Sequence, residues 1–206
     1  RRTVWQVSER GADAGVRPGM LISQAISLCP DLTLLEPDPA HYHAAFGEVV
    51  EALESITPIL EPREPGLVHL GVDGLHRILG SPEGEVRQVL GTLLEVLPPP
   101  LVAALRVGRA PGTFGAWVAA AAARPGAPVL LSRGDPAALP RFLAPQPVGA
   151  LPLDAGELEL LERLDIRTLG GVAALPETAL VRHFGHRGRE IRRLARGERV
   201  DPVRPL

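Results

Sequence analysis

Lysine is absent from this sequence of 206 residues, and cysteine occurs only once. All 22 basic side chains are arginines, so the chain offers no lysine for a Schiff base or for clamping a phosphate. The single cysteine, Cys29, excludes an internal disulfide and a cluster of thiolate metal ligands.

Long apolar segments are also missing. The longest unbroken apolar run, residues 116–123, is rich in alanine and much shorter than the roughly 20 residues of a membrane-spanning helix. The first residues lack the charged, apolar and small-residue regions of a secretory signal. We therefore expect a cytoplasmic protein with no membrane partner, long enough for two or three compact units.

The formal net charge of −2 conceals an uneven distribution of charge along the chain. Residues 1–181 contain 14 arginines and 21 acids, a charge of −7. Residues 182–206 contain 8 arginines and 3 acids, a charge of +5. The end of the chain is therefore the part best suited to an anionic partner.

Apolar spacing and turn residues predict strands alternating with helices in the middle of the chain and mainly helices elsewhere. The predicted strands are residues 3–7, 67–72, 101–108 and 129–131. The predicted helices are residues 21–29, 40–56, 82–97, 113–123, 157–164, 168–174, 177–184 and 189–196. The alternation indicates a sheet with helices on one face, so we predict an α+β fold.

Short motifs in a fixed order resemble the Y-family DNA polymerases, the enzymes of translesion synthesis. Each motif is weak alone, and the resemblance depends on their order and spacing over nearly the whole chain. The motifs are Gly15-Val-Arg-Pro-Gly-Met20, Leu28-Cys-Pro-Asp31, Ile56-Thr-Pro58, Glu61-Pro62, Gly108-Arg-Ala-Pro111, Phe142-Leu-Ala-Pro145, Leu164-Asp-Ile-Arg-Thr-Leu-Gly170 and Phe184-Gly-His-Arg-Gly188.

The resemblance implies three parts in the order fingers, palm and thumb. Residues 1–57 would form helical fingers, and residues 58–147 a palm with an antiparallel or mixed sheet and helices on one face. Residues 148–206 would form a helical thumb with a helix-hairpin-helix-like element.

Two positions in the palm decide whether the resemblance extends to catalysis. In active members of the family, a strand after the Glu-Pro pair carries adjacent Asp and Glu residues that help to hold two magnesium ions. Here these positions are Gly66 and Leu67, and neither side chain can bind a cation. We expect the nearby Glu61, Glu64 and Asp73 to be solvated rather than to replace the missing ligands.

Other positions that would face the incoming triphosphate also lack the residues that active members of the family have there. The family's Tyr and Arg of the fingers match Glu9 and Ala12, and its palm lysines match Thr113 and Trp117. A nucleotide triphosphate, with close to four negative charges, would therefore meet an acid and no cation at these places.

This pattern resembles the ImuB branch of the family, whose members are thought to act in inducible (SOS) mutagenesis as adaptors. The resemblance implies a catalytically inactive, DNA-binding adaptor in DNA repair, with no catalytic residue, metal ligand or cofactor in this chain. A separate DNA polymerase and the sliding clamp would be its partners, through regions outside these residues.

The thumb is the part that we expect to touch primer-template or damaged DNA, mainly at phosphates. Its helix-hairpin-helix-like element would contain Gly156, Arg167, Thr168 and Gly170, because a glycine turn before a helix can bind phosphate through free N–H groups. Asp154 stands where a cation would help, so a purely structural hairpin is the alternative.

A row of arginines near the end of the chain is the second predicted DNA contact. Arg189, Arg192, Arg193 and Arg196 are spaced i, i+3, i+4 and i+7 along one side of the last predicted helix, and Arg187 precedes them. The alternative is a solvated helix, or one that faces the acids of another protein.

Two other functions stay open at this point. The first is an active, error-prone Y-family polymerase whose metal ligands come from outside these residues. The second is a protein-interaction scaffold that does not bind DNA.

Overall fold

The chain divides into two units, residues 1–41 and residues 42–206. The structure is a computed structural model that describes residues 2–132 and 134–205. Helices and strands both occur in these residues, which confirms the α+β fold class. No helix within the described ranges is long and apolar enough to cross a membrane.

The first unit is mainly helical and has a small core around Val16 and Ala25, which are fully buried. Its elements are α1 (Glu9–Asp13), α2 (Ile22–Leu28) and the first residues of α3 (Pro39–Glu54). The prediction of α2 is confirmed. The predicted strand at residues 3–7 is wrong, because Thr3 forms only an isolated antiparallel bridge with Leu21.

An antiparallel hairpin opens the sheet-containing part of the second unit. It consists of β1 (Leu60–Glu64) and β2 (Leu67–Leu70). The sequence predicts β2 but treats β1 as a loop, because of its proline and charges. Pro62 is tolerated there because the register shifts between Pro62 and Glu64, and a proline can occupy such an irregular position without interrupting a regular ladder.

Three helices follow the hairpin: α4 (His76–Leu79), α5 (Pro82–Val96) and α6 (Pro99–Ala103). The prediction of α5 is confirmed, and Ser81 caps it by accepting a hydrogen bond from the N–H of Gly84 at 3.2 Å. The predicted strand at residues 101–108 is wrong over most of its length. Prolines fit the first turn of a helix, so the proline run begins α6 as well as ending α5.

A second pair of strands is parallel, as expected for strands joined by a crossover helix. It consists of β3 (Gly108–Arg109) and β4 (Val129–Leu130), with α7 (Gly112–Ala122) between them in sequence. Gly108 lies against α7 so closely that a Cβ atom there would be 2.1 Å from the backbone N of Ala120. In the described residues the two strand pairs form separate sheets, not the one sheet that the sequence predicts.

The rest of the second unit is helical. Its helices are α8 (Ala138–Leu143), α9 (Ala155–Arg163), α10 (Leu169–Ala174), α11 (Glu177–Phe184) and α12 (Arg187–Ala195), with a 3₁₀ turn at Val148–Ala150. The prediction missed α8 and placed the others within two residues of the observed bounds.

The second unit contains two apolar cores. One lies between α3, β1, α5 and α6 and is built on Leu53, Leu60, Leu93 and Val102. The other joins the last five helices to α7 through buried residues that include Val118 and Leu143. This second core extends across the predicted palm–thumb boundary at residue 147, and the division into three parts stays a prediction.

Candidate nucleic-acid interface and the β1–β2 hairpin

The hairpin of β1 and β2 contains, at its turn, the two positions that decide whether metal ligands are present. Gly66 lies in the turn between β1 and β2 with a φ of 99°, a backbone conformation that glycine adopts readily. Leu67 begins β2, pairs with Glu64 across the hairpin and is half-buried. No anionic oxygen is therefore present at the two positions that the resemblance assigns to metal ligands.

The carboxylate of Glu61 on β1 is engaged in the protein's own structure. Its Oε1 accepts from the guanidinium of Arg63 at 2.9 Å, and its Oε2 accepts from the backbone N–H of Arg204 at 2.9 Å. The Arg204 hydrogen bond is the largest of the effects that hold the pKa of Glu61 below its ordinary value, and Arg63 adds to it. The prediction that Glu61 is solvated is therefore wrong, since only 14% of its side chain is exposed.

Other polar groups near the hairpin differ from Glu61. His69 faces Glu61 across the strands, and its burial lowers its pKa, so it favours the neutral form. Glu64 and Asp73 are exposed, as predicted. Within the described residues, no three His, Cys, Asp or Glu side chains are grouped so that they could hold a metal ion.

The start of α7 is covered by the end of the chain. The N–H of Thr113 donates to the carbonyl of Asp201 at 3.0 Å, and Gly112 lies against the backbone of Val200. Trp117, the other position matched to a family lysine, packs against the second core. The side chain of Glu9, matched to a fingers residue, lies outside the described residues.

The N-terminus of α9, which contains the predicted contact Gly156, is capped by side chains. Asp154 Oδ1 accepts from the N–H of Glu157 at 2.8 Å, and Glu157 Oε2 accepts from the N–H of Asp154 at 2.9 Å. Gly156 is exposed in this first turn. An anion would have to approach past the Asp154 carboxylate, which already occupies the positive end of the helix dipole.

The N-terminus of α10 is also used internally, although it carries the predicted contacts Thr168 and Gly170. Thr168 Oγ1 accepts from the N–H of Gly171 at 3.2 Å. The N–H of Gly170 donates to the carbonyl of Ala144 at 2.9 Å, and Leu169 donates to Gln146. The first N–H groups of α10 are therefore bonded within the protein, so a phosphate would have to displace these partners.

Most of the predicted arginines are paired with acids. The ion pairs are Arg167–Asp165 at 2.9 Å, Arg187–Glu157 at 2.9 Å, Arg189–Glu177 at 3.0 Å and Arg196–Glu198 at 2.9 Å. Arg192 is half-buried, and its Nε donates to the carbonyl of Leu175 at 3.2 Å. Arg193 is exposed and forms no ion pair with any residue that the structure describes.

Some of these ion pairs could be predicted from the sequence and others could not. Asp165 and Glu198 lie two residues from their arginines, so local charge pairing was visible in the sequence. Glu157 is 30 residues from Arg187, and only the tertiary fold brings them together. Arg187 also donates to the carbonyl of Pro152 at 2.8 Å, so it links the start of α12 both to α9 and to the segment before α9.

Comparisons with known proteins agree on the fold. A sequence model of the impB/mucB/samB family matches residues 1–121. The DNA polymerase IV of Caulobacter vibrioides is 28% identical over 193 residues, covering 92% of this chain and 46% of that protein. The chain therefore spans less than half the length of that relative.

Solved structures show the same likeness at lower identity. The structure of DinB from Sulfolobus solfataricus has a TM-score of 0.76 at 20% identity, over 94% of this chain and 55% of that one. A chimeric Y-family DNA polymerase gives a TM-score of 0.78 at 20% identity, over 98% of this chain and 57% of that one. At this identity the likeness shows a common fold.

Proposed function

Because this chain belongs to the impB/mucB/samB family and has a Y-family polymerase fold, we propose that it is the core of a catalytically inactive polymerase homologue. It binds primer-template or damaged DNA through phosphates and acts in translesion synthesis as an adaptor for a separate polymerase and the sliding clamp. Residues 1–57, 58–147 and 148–206 serve as its fingers, palm and thumb.

The observation that carries this proposal is the chemistry of the palm hairpin. A glycine at the turn and a leucine at the start of β2 supply no ligand for the hard cations that stabilise both oxygens in phosphoryl transfer. Glu61 does not compensate, because both of its oxygens are already bonded to Arg63 and Arg204. The fold is retained while these anionic ligands are lost.

A second candidate is an active polymerase, which is favoured by the name of the relative from Caulobacter vibrioides, DNA polymerase IV. Primer extension with the full-length protein in Mg²⁺ or Mn²⁺ separates the two functions. We expect no templated incorporation, with an active Y-family polymerase on the same primer-template as the positive control. Incorporation that follows the template would overturn the inactive assignment.

A third candidate is a scaffold that does not bind DNA, favoured by the carboxylates that neutralise most of the predicted arginines. Fluorescence titration with labelled primer-template tests it. We expect binding at low salt that weakens as salt rises, with about 0.9 in the log–log slope for each phosphate neutralised. A complete lack of affinity at low salt would favour the scaffold.

A further inference from the structure

We propose that carboxylates on the last helices, chiefly Glu177, weaken the binding of DNA phosphates to the exposed side of α12. These carboxylates hold arginines that would otherwise bind the phosphates. The inference rests on the proposed function, since it concerns the same DNA-binding surface. It goes further in assigning Arg193 as the arginine available to phosphate and Glu177 as the acid that competes with phosphate for Arg189.

The two sides of α12 have different surroundings. Gly188, Ile191 and Leu194 are buried against the neighbouring helices. Arg189 and Arg193 are exposed and stand one turn apart at i and i+4, so they are neighbours on the outer side of the helix. They form a natural pair for comparison, because they share residue type, helix and exposure.

Only one member of this pair is held by an acid. Arg189 Nε donates to Glu177 Oε1 at 3.0 Å. Glu177 lies in the first turn of α11, where the helix dipole favours a negative charge. Arg193 has no such partner in the described residues, and its full charge is available to a phosphate.

The strength of the Arg189–Glu177 pair sets the expected effect. The Arg189 side chain is 68% exposed and that of Glu177 is 49% exposed, and ion pairs at such exposed positions are weak, so a phosphate can displace the carboxylate. The displacement nevertheless reduces affinity by about 1.5- to 5-fold, and the displaced acid remains near the phosphate as a like charge. Removing the charge of Glu177 should therefore strengthen DNA binding.

The test is a set of substitutions measured by fluorescence anisotropy with labelled primer-template at low and moderate salt. We expect Glu177→Gln to tighten binding by about 2- to 5-fold. Arg193→Gln should weaken binding more than Arg189→Gln does. Glu159→Gln is the matched control, because Glu159 is exposed on α9 and forms no ion pair among the described residues.

A double variant separates release of Arg189 from a general change in charge. If Glu177 acts by holding Arg189, Glu177→Gln should give little gain when Arg189→Gln is also present. Melting followed by circular dichroism verifies that each variant is folded, and the exposure of both side chains makes this the expected result.

The outcomes distinguish this inference from the function on which it rests. If the wild type binds DNA and Glu177→Gln changes affinity no more than Glu159→Gln, the inference is wrong and the DNA-binding function stands. Binding by Glu177→Gln but not by the wild type supports the inference. If neither the wild type nor any variant binds at low salt, both DNA binding and the inference are overturned.

Discussion

The guanidinium Nε of Arg109 donates to Glu85 Oε2 at 2.6 Å, and this ion pair ties β3 to α5. Only 18% of the Arg109 side chain and 4% of the Glu85 side chain are exposed. Arg109 also donates to the carbonyl of Leu131 at 3.3 Å, whereas Glu85 Oε1 is buried without a partner among the described residues. This pair could not be predicted from local sequence, because the two residues are 24 positions apart.

Breaking this pair from one side should be costly. We expect Arg109→Met to lower the free energy of unfolding by about 3–5 kcal/mol, because it leaves the Glu85 carboxylate buried without a cation. The double variant Glu85→Leu, Arg109→Met should recover most of that loss, since two apolar side chains avoid the desolvation of both charges. Urea denaturation measures both values.

An exposed pair provides the control for this prediction. Arg141→Met removes the ion pair with Asp135, whose two side chains are both exposed to solvent. It should change the free energy of unfolding by only about 0–1 kcal/mol. An equal loss in the Arg109 and Arg141 variants would contradict the role assigned to burial.

Gly170 gives a prediction about the structural role of the close contact at the start of α10. A Cβ atom there would lie 2.8 Å from the carbonyl oxygen of Ala144, to which the N–H of Gly170 donates. We expect Gly170→Ala to destabilise the protein by about 1–3 kcal/mol through overpacking. Gly91→Ala is the control, because Gly91 is exposed in α5 with nothing within 4 Å of the added atom.

The control should change stability in the opposite direction. Alanine is favoured over glycine inside a helix by about 0.5–1 kcal/mol, so Gly91→Ala should raise the thermal midpoint while Gly170→Ala lowers it. If Gly170→Ala were as stable as the wild type, the close contact with Ala144 would not hold α10 in place.

Glu61 should make stability depend on pH in the acidic range. Its pKa in the folded protein is lowered, chiefly by the hydrogen bond from Arg204, so the ionised form stabilises the fold. This contribution is fully present above the ordinary value of 4.5 and is lost as pH falls through the lower pKa of the folded protein. Glu61→Gln should cost about 1.5 kcal/mol at neutral pH and progressively less below pH 4.5.

Urea denaturation from pH 7 to pH 3 tests this dependence. The half-buried His69 destabilises the fold as pH falls below its ordinary value of 6.5, and the charge of Glu61 raises the pKa of His69. The comparison is therefore repeated with His69→Gln in both proteins, which removes this second titration. Glu64→Gln removes an equal charge from an exposed position of the same strand and should have little effect. A gap between wild type and Glu61→Gln that stays constant with pH would refute the assignment.

Asp154 should matter for folding, because it caps α9. We expect Asp154→Ala to cost about 1 kcal/mol, since the N–H of Glu157 loses its acceptor. Asp154→Ser retains an acceptor at the cap and should recover most of the loss. Thermal unfolding of the wild type and the two variants measures these differences. Equal midpoints would show that the capping box contributes nothing to stability.

Helices were the most predictable part of the fold. The apolar spacing of α3 and α5 gave bounds within two residues, because one face of each packs on a core and the period of 3.6 is imprinted on the sequence. The apolar run that begins at Leu101 was wrongly predicted as a strand, since a short apolar segment fits a buried strand or a helix equally well. The prolines that precede this run, at the first turn of α6, favour the helix.

The sequence predicted which residues lie in the candidate site but not which groups they bond to. Spacing along one helix was enough to align Arg189 with Arg193, but the acid that holds Arg189 comes from another helix. Likewise, Glu61 looked solvated because its partner, the backbone N–H of Arg204, is 143 residues away. Such partners depend on how helices and the chain end pack, which local sequence does not encode.

The sequence alone determined which chemical groups this protein has at the turn between β1 and β2: a glycine and a leucine carry no anionic oxygen in any conformation. It also fixed the helical periods, because they are set by local spacing. The tertiary structure alone decided which charges are available, since an arginine's effect on a phosphate depends on whether packing places an acid within a few ångströms. That is why Arg189 and Arg193, equivalent in the sequence, differ in the fold.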